Sequence, residues 1–392
     1  DIYRISFSRP DGVMTEDAAL VGPSKYRTYG QIQREAETVA RGITALTERT
    51  GQYVGLYGEN DPRWFALFWG ILKSGNKPYL INLRQPAEFS ADALRTLGAT
   101  VTLCLTSAPD LGTDCFSYDT VCQSAPETTP AVPFGDGFAL ATSGTTLGRK
   151  ICCFNGETIS AQLLNMESMI KENPDLIRPY RGQVKHLMFL PLYHIFGLEA
   201  VFLWFSFFHS TFVFPPDLSP DHLLRTVRYH DVTHIFAVPL LWAAVERSVR
   251  KEAAKDEKTK AALEKGLSLS LKLQKIAPRW GGRKLAARLF RDVRKRLFGD
   301  TVQFCISGGS SIKPETLSLL NGMGYSLCNG YGMSEIGITS VDLSLRAEDR
   351  IKGAIGRPVD SVEYRIDENG HLLVKGASVC PTMILDGIPT KT

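Results

Sequence analysis

Apolar, β-branched runs alternate with stretches of helical periodicity along most of this chain. Runs at 54–57, 79–83, 101–105, 186–190, 211–214, 234–238 and 303–306 predict strands. The intervening segments 29–46, 62–74, 86–97, 157–171, 220–229 and 313–321 carry apolar residues at helical spacing and predict helices. Alternation of this kind predicts an α/β fold of mainly parallel sheets covered by helices. The carboxyl end changes character. Segments 362–366 and 371–374 flank Asp367-Glu368-Asn369-Gly370, a hairpin pattern with Asn-Gly at the turn, which predicts a small antiparallel β subdomain. A proline-rich connector at 126–133 suggests a boundary, so the expected division is α/β subdomains at 1–133 and 134–330 and a β subdomain at 331–392.

One segment departs from this rhythm. Residues 245–300 form a long insert of helical pattern, rich in Lys and Arg. Ala286, Leu289, Phe290, Val293 and Leu297 fall at i, i+3, i+4, i+7 and i+11, which makes its last helix amphipathic. Two readings stay open for the basic residues: a solvated helix surface, or a peripheral contact with anionic lipid headgroups.

Composition narrows the class. At 392 residues, with 44% hydrophobic and 22% charged residues, the chain can bury a large core and has the make-up of a globular protein. The most apolar segment, 198–208, is too short to span a bilayer and contains Glu199. Nothing at the amino end resembles a signal peptide. Eight cysteines lie scattered without a C-x-x-C pair, which suits reduced thiols and a cytoplasmic setting, with the basic insert at the inner face of the membrane as the place for a peripheral contact. A net charge of +4 is too small to argue for nucleic acid.

The chemistry concentrates at 138–150, FALATSGTTLGRK. Glycines and small hydroxyl residues let backbone N–H groups face one concavity, a nest suited to phosphate oxygens. Thr142, Ser143, Thr145 and Thr146 add hydroxyl donors around Gly144, and Lys150 adds a mobile positive charge. The spacing differs from the Walker loop: three residues separate Gly144 from Gly148, and Lys150 is followed by Ile151. Residues 151–154 read as a strand, so the loop is expected to join two strands.

SGTT with a nearby lysine resembles the phosphate loop of the adenylate-forming superfamily, which includes acyl-CoA synthetases, peptide-synthetase adenylation domains and luciferases. Three further segments resemble that family in the expected order: PLYHIFG at 191–197, GGSSI at 308–312, and NGYGMSE at 329–335. Residues 353–376 then resemble the family's GxxGxPxPGxExxI run. The likeness spans most of the chain, and it implies a large amino-terminal AMP-binding domain over 1–392. It also implies a reaction: ATP and a carboxylic acid form an acyl-adenylate and pyrophosphate, and the acyl group then passes to coenzyme A.

The same likeness implies roles for particular residues. Lys150 would meet phosphate and Glu335 would associate with Mg2+. Ser334, in place of the family's Thr, would hydrogen-bond a phosphate. Tyr331 would stack on adenine, with Asn329, Gly330, Gly332 and Met333 around it. Gly308, Gly309, Ser310 and Ser311 would form the opposite edge. His194 would border the acyl pocket without acting as a base, because a carboxylic acid substrate is already ionised at neutral pH. Phe196, Phe202 and Trp204 would line a tunnel for an alkyl chain or else form ordinary helix core. The basic insert is similar to one in long-chain fatty-acid–CoA ligases, which favours a fatty acid. Aryl or medium-chain acids, a carrier-protein acceptor, and a ligand-sensing pseudoenzyme are the alternatives.

Two departures qualify the likeness. The loop has Leu147 where the family has Gly, and Arg149 where it has Pro. The chain also runs from Asp1 to Thr392 without the family's Thr-Gly-Asp segment, hinge and carboxyl-terminal lid, so it is expected to be the amino-terminal part of a longer enzyme, with weak activity by itself.

Overall fold

The computed structural model describes residues 2–19, 21–47, 49–142, 150–173, 182–278 and 280–392. Ser143, Gly144, Thr145 and Thr146, with Leu147 and Arg149, lie outside the described residues.

The first half of the chain supplies β1 (Val13–Asp17), β2 (Lys25–Thr28), β3 (Tyr53–Tyr57), β4 (Lys77–Leu80), β5 (Val101–Cys104), β6 (Asp114–Ser117), β7 (Phe138–Ala141) and β8 (Lys150–Phe154). The second supplies β9 (Lys185–Leu187), β10 (Thr211–Phe214), β11 (His234–Ala237), β12 (Phe304–Ser307), β13 (Leu327–Met333), β14 (Gly337–Val341) and β15 (Arg357–Pro358). Four more follow at the end: β16 (Val362–Ile366), β17 (Leu372–Gly376), β18 (Thr382–Leu385) and β19 (Ile388–Lys391).

These strands form one nine-stranded sheet in the order β15-β14-β13-β12-β11-β9-β10-β1-β2 and one eight-stranded sheet in the order β19-β18-β8-β7-β4-β3-β5-β6. The nine-stranded sheet is parallel in its middle and antiparallel at both edges, whereas the eight-stranded one is antiparallel from β19 to β7 and parallel from β7 to its other edge, β6. Sheet membership crosses residue 133. β1 and β2 join the nine-stranded sheet, whose other strands come from 185 onward, and β7 and β8 join the eight-stranded one. The proline-rich connector thus marks a link inside a sheet rather than a division between sheets.

The carboxyl end is likewise shared out. β18 pairs antiparallel with β8, opposite Cys152 and Cys153, and extends the eight-stranded sheet. β14 and β15 extend the nine-stranded one, and β16 with β17 stands as a separate two-stranded sheet. The turn of that hairpin is longer than an Asn-Gly pair, because Asp367 Oδ1 accepts from the backbone N–H of both Asn369 and His371, at 2.9 and 2.8 Å.

Helix Pro62–Lys73 lies between the large sheets. Asp61 caps its amino end by accepting from the N–H of Arg63, and Pro62 occupies the first turn, where no N–H is needed. Ten of its twelve residues are buried, so it needs apolar cover on every side. Phe65 stacks on Phe202 with centroids 4.2 Å apart and meets Phe212 of β10 edge-on at 5.2 Å. Phe68 faces Phe138 of β7 at 6.5 Å. Phe202 belongs to a π-helical turn, Phe196–Leu203, that continues as Trp204–Phe207. Of the two readings for Phe202, core is the one realised: it is fully buried against Trp64, Phe65, Phe68 and Trp69.

The basic insert folds as helices Pro239–Ala253, Glu257–Ile276, Trp280–Leu289 and Arg291–Leu297. The amphipathic stretch expected as one helix breaks at Phe290, and Leu289, expected on its apolar face, is 46% exposed. Arg294 is not a surface residue either. Its guanidinium lies 3.9 Å from the Tyr325 ring centroid and donates to the carbonyls of Met323 and Val302.

Truncating Phe202→Ala removes a ring from the contact between helix and sheets, and is expected to cost about 3–5 kcal/mol. A fall in the urea-unfolding midpoint, with no change in which acid or acyl-adenylate mimic is preferred, would show that the ring supports the core and does not line a substrate path.

Candidate active site

The carboxyl ends of β7, β12 and β13 converge on one cleft, where open α/β sheets place their ligand sites. The cleft holds a cavity of about 410 Å³. Thr142 stands at its edge, with its N–H bonded to the Lys150 carbonyl and its own carbonyl accepting from Gln85 Nε2. Lys150 starts β8, and its ammonium pairs with the Glu335 carboxylate, which follows β13 on the opposite sheet. Both side chains keep roughly a quarter of their surface open, at 28% and 26%. The two sheets therefore meet at the cleft through a cation and an anion that a ligand can reach.

The strand–turn segment 330–335 lines one wall. Tyr331 accepts at its carbonyl from Thr339 Oγ1 across the β13–β14 ladder, which shifts register between Tyr331 and Gly332. That irregularity coincides with a close approach: a Cβ at Gly332 would collide with the backbone of Gly337. Gly330, Met333 and Ser334 complete this wall. Asn329 does not reach the cavity lining. Its amide donates to the carbonyls of Gly353 and Ala354 and ties down the loop behind the wall.

Gly308 and Gly309 form the facing edge, and any Cβ on Gly308 would press on the Phe196 ring at 3.0 Å. Ser310 and Ser311 are exposed and stand outside the lining. His194 lines the cavity from the turn before the π-helix, and both its burial and the nearby charge of Arg84 hold its pKa below the ordinary histidine value. The apolar end of the cavity is Phe196, Ala200 and Trp204 from this helix with Ile306 from β12.

Three residues of this region were not singled out from the sequence. Asn60 holds the PLYH segment in place: its Oδ1 accepts from Leu192 N–H at 3.0 Å and its Nδ2 donates to Leu190 O at 2.7 Å. Arg84 sits in the loop after β4, and a basic residue just past the carboxyl end of a parallel strand was the available signal. Ala200 lies mid-helix, and no local pattern marks it.

For a divalent cation the fit is limited to one carboxylate. Among the described residues no group of three or more His, Cys, Asp or Glu gathers, and Glu335 is the acid that reaches the cavity.

Two large α/β sheets meeting at such a cleft make up the architecture of the amino-terminal domain of adenylate-forming enzymes. The AMP-binding enzyme family profile matches residues 9–382, and the chain belongs to that family. It is 27% identical over 251 residues to the long-chain-fatty-acid–CoA ligase FadD15 of Mycobacterium bovis, covering 61% of this chain and 39% of the relative. It is 21% identical over 387 residues to the 4-hydroxybenzoate–CoA/benzoate–CoA ligase of Rhodopseudomonas palustris, covering 92% of this chain and 64% of the relative. The chain thus spans less than two thirds of the length of either. Among solved structures, o-succinylbenzoate CoA synthetase from Bacillus subtilis, in complex with its acyl-adenylate intermediate, superposes with a TM-score of 0.71 at 17% identity, covering 97% of this chain and 70% of that one. The N-terminal domain of FACL13 from Mycobacterium tuberculosis gives 0.71 at 18% identity, covering 97% and 90%.

Glu199 turns away from the cavity. It is 1% exposed, and among the described residues both its carboxylate oxygens lack a hydrogen-bond partner. A Cβ at Gly337 would overlap its carboxylate, so the bend after Glu335 closes against it. Burial raises its pKa well above the ordinary 4.5. The folded chain therefore keeps a proton that the unfolded chain releases above that value, and this group's contribution to stability falls as pH rises. Glu199→Gln has no proton to lose. Its unfolding midpoint relative to the parent is expected to climb between pH 5 and pH 8, and parallel curves for the two proteins would refute the buried neutral acid.

Proposed function

We propose that this cleft binds ATP and a carboxylic acid and joins the acid to the α-phosphate with release of pyrophosphate, and that the whole protein passes the acyl group to coenzyme A. The observation that carries this reading is the convergence of Lys150, Tyr331 and Glu335 on one cavity whose far end is apolar. Attack of a carboxylate on a phosphate brings two anions together, so the site must supply positive charge and alignment. Lys150 supplies the charge. Tyr331 offers a flat face for adenine, with Gly330 and Gly332 admitting the base close to the backbone. Ser334 offers a hydroxyl to a phosphate oxygen. Glu335 would hold Mg2+ together with nucleotide oxygens and water, in keeping with that ion's habit of retaining waters, and the bound ion would neutralise phosphate charge. His194, kept neutral by its surroundings, borders the acid and can donate or accept one hydrogen bond without carrying charge.

The acid is proposed to be a fatty acid, its chain lying along Phe196, Ala200 and Trp204. No carboxylate faces this apolar end among the described residues, and Glu199 is turned to the core, which argues against an amino acid whose ammonium would need a partner. An aryl acid is the second reading, favoured by the two flat rings of Phe196 and Trp204 among the apolar lining.

Isothermal titration with non-hydrolysable dodecanoyl-, octanoyl- and benzoyl-AMP mimics separates these readings. Affinity that rises with chain length supports the fatty acid, a benzoyl preference supports the aryl acid, and no binding by any mimic removes the proposal. Tyr331→Ala is expected to weaken mimic binding by about 1–3 kcal/mol through lost stacking. Lys150→Ala is expected to weaken ATP binding roughly tenfold to a hundredfold through loss of a charged hydrogen bond.

A further inference from the structure

The insert presents an outer surface that the cleft does not use. Helix Glu257–Ile276 buries Leu263, Leu267, Ser270 and Gln274, and Ser270 Oγ and Gln274 Nε2 donate to the carbonyls of Gly322 and Asn321. At 100° per residue those four define one stripe. Lys265, Leu269, Lys272 and Ile276, spaced i, i+4, i+7 and i+11, define the stripe diametrically opposite. All four are exposed, Ile276 at 81%. The next helix, Trp280–Leu289, repeats the mixture: Lys284, Leu285, Arg288 and Leu289 share one exposed arc, away from buried Gly282 and Ala286.

Charge is concentrated here. From Lys265 to Arg291 the sequence has eight Lys and Arg and no Asp or Glu, whereas the whole chain carries only +4. The rest of the molecule is therefore net negative. Lys275 is paired with Glu348 at 3.1 Å, but Lys272, Arg288 and Arg291 stand exposed on the outer side. Exposed aliphatic side chains set among basic ones match the interface of a bilayer with anionic headgroups: the basic groups meet phosphate and the aliphatics enter the acyl boundary.

We propose that helices Glu257–Ile276 and Trp280–Leu289 form a docking face for an anionic membrane surface. The contact is peripheral, since no helix among the described residues is long and apolar enough to cross a membrane. It stands independently of the reading of the cleft.

The test is co-sedimentation of the chain with phosphatidylglycerol/phosphatidylcholine vesicles and with pure phosphatidylcholine vesicles. Binding to the anionic vesicles alone, weakened by raised salt, is expected. Lys272→Gln with Arg288→Gln should lower the partition coefficient roughly 25-fold, about fivefold per basic residue removed. Ile276→Ser with Leu289→Ser, which leaves the charge unchanged, should lower it roughly tenfold by removing the apolar insertion. Unfolding midpoints should stay at the parent value, because all four side chains are exposed. No binding to anionic vesicles overturns the proposal. So does a loss confined to the charge variants, which would mark the face as a general polyanion site, for an acidic protein for example, rather than a bilayer contact.

Discussion

A helix that is apolar on every side cannot rest on a surface. Pro62–Lys73 is such a helix, and much of the architecture follows from covering it. The nine-stranded sheet closes one side through Phe212 and Phe214, the eight-stranded sheet another through Phe138, and the π-helical segment a third through Phe202. Edge-to-face and offset contacts between these rings add specificity to the area they bury. The consequence for the cleft is direct. Asn60, just before this helix, bonds the backbone on either side of Pro191 at the start of the PLYH segment, which ties the approach to His194 to the packing of the helix.

With the sheets held around that helix, their facing edges bring Lys150 and Glu335 together. A partly open ion pair contributes little to stability, on the order of 0–1 kcal/mol. The pair is thus better understood as two groups kept near each other than as a strut. In the proposed reaction both would change partners, Lys150 to a phosphate oxygen and Glu335 to a metal-bound nucleotide. A weak pair is suited to that exchange, because separating the two charges costs little while each stays pre-positioned by its strand. The backbone carbonyl of Glu335 accepts from Cys380 N–H at 2.8 Å, so the residue keeps its place whichever partner its carboxylate takes.

Legibility followed the physical origin of each feature. Strands and helices with clean periodicity, such as Thr211–Phe214 and Pro220–Tyr229, were readable to the residue, because burial of one face writes itself into local spacing. Of the motif residues named from the sequence, Thr142, Lys150, His194, Gly308, Gly309 and the run from Gly330 to Glu335 line one cavity. What stayed hidden depended on partners far along the chain. Nothing near β18 says that it pairs with β8, and nothing near β1 says that it lies beside β10. Asn329 shows the limit within a motif: it stands in NGYG, yet its amide is spent on the 353–354 loop. Leu289 shows it within a pattern, since helical spacing predicted an apolar contact that the break at Phe290 removes.

The same limit bears on the acid. Phe196, Ala200 and Trp204 lie four apart and face the cavity, while Phe202, two residues from Trp204, faces the aromatic core. The wider π-helical turn decides which side chains look into the cleft, and such turns recur at functional sites because they realign one face of a helix. On the cleft side the small residue, Ala200, sits between two large rings. In the proposed reading its small side chain would leave room for an acid's tail, with Trp204 beyond it. In that reading the length and shape of the acid would be set by the size of residue 200 and the tilt of the ring at 204, two quantities that depend on helical phase and on the core behind it rather than on any motif.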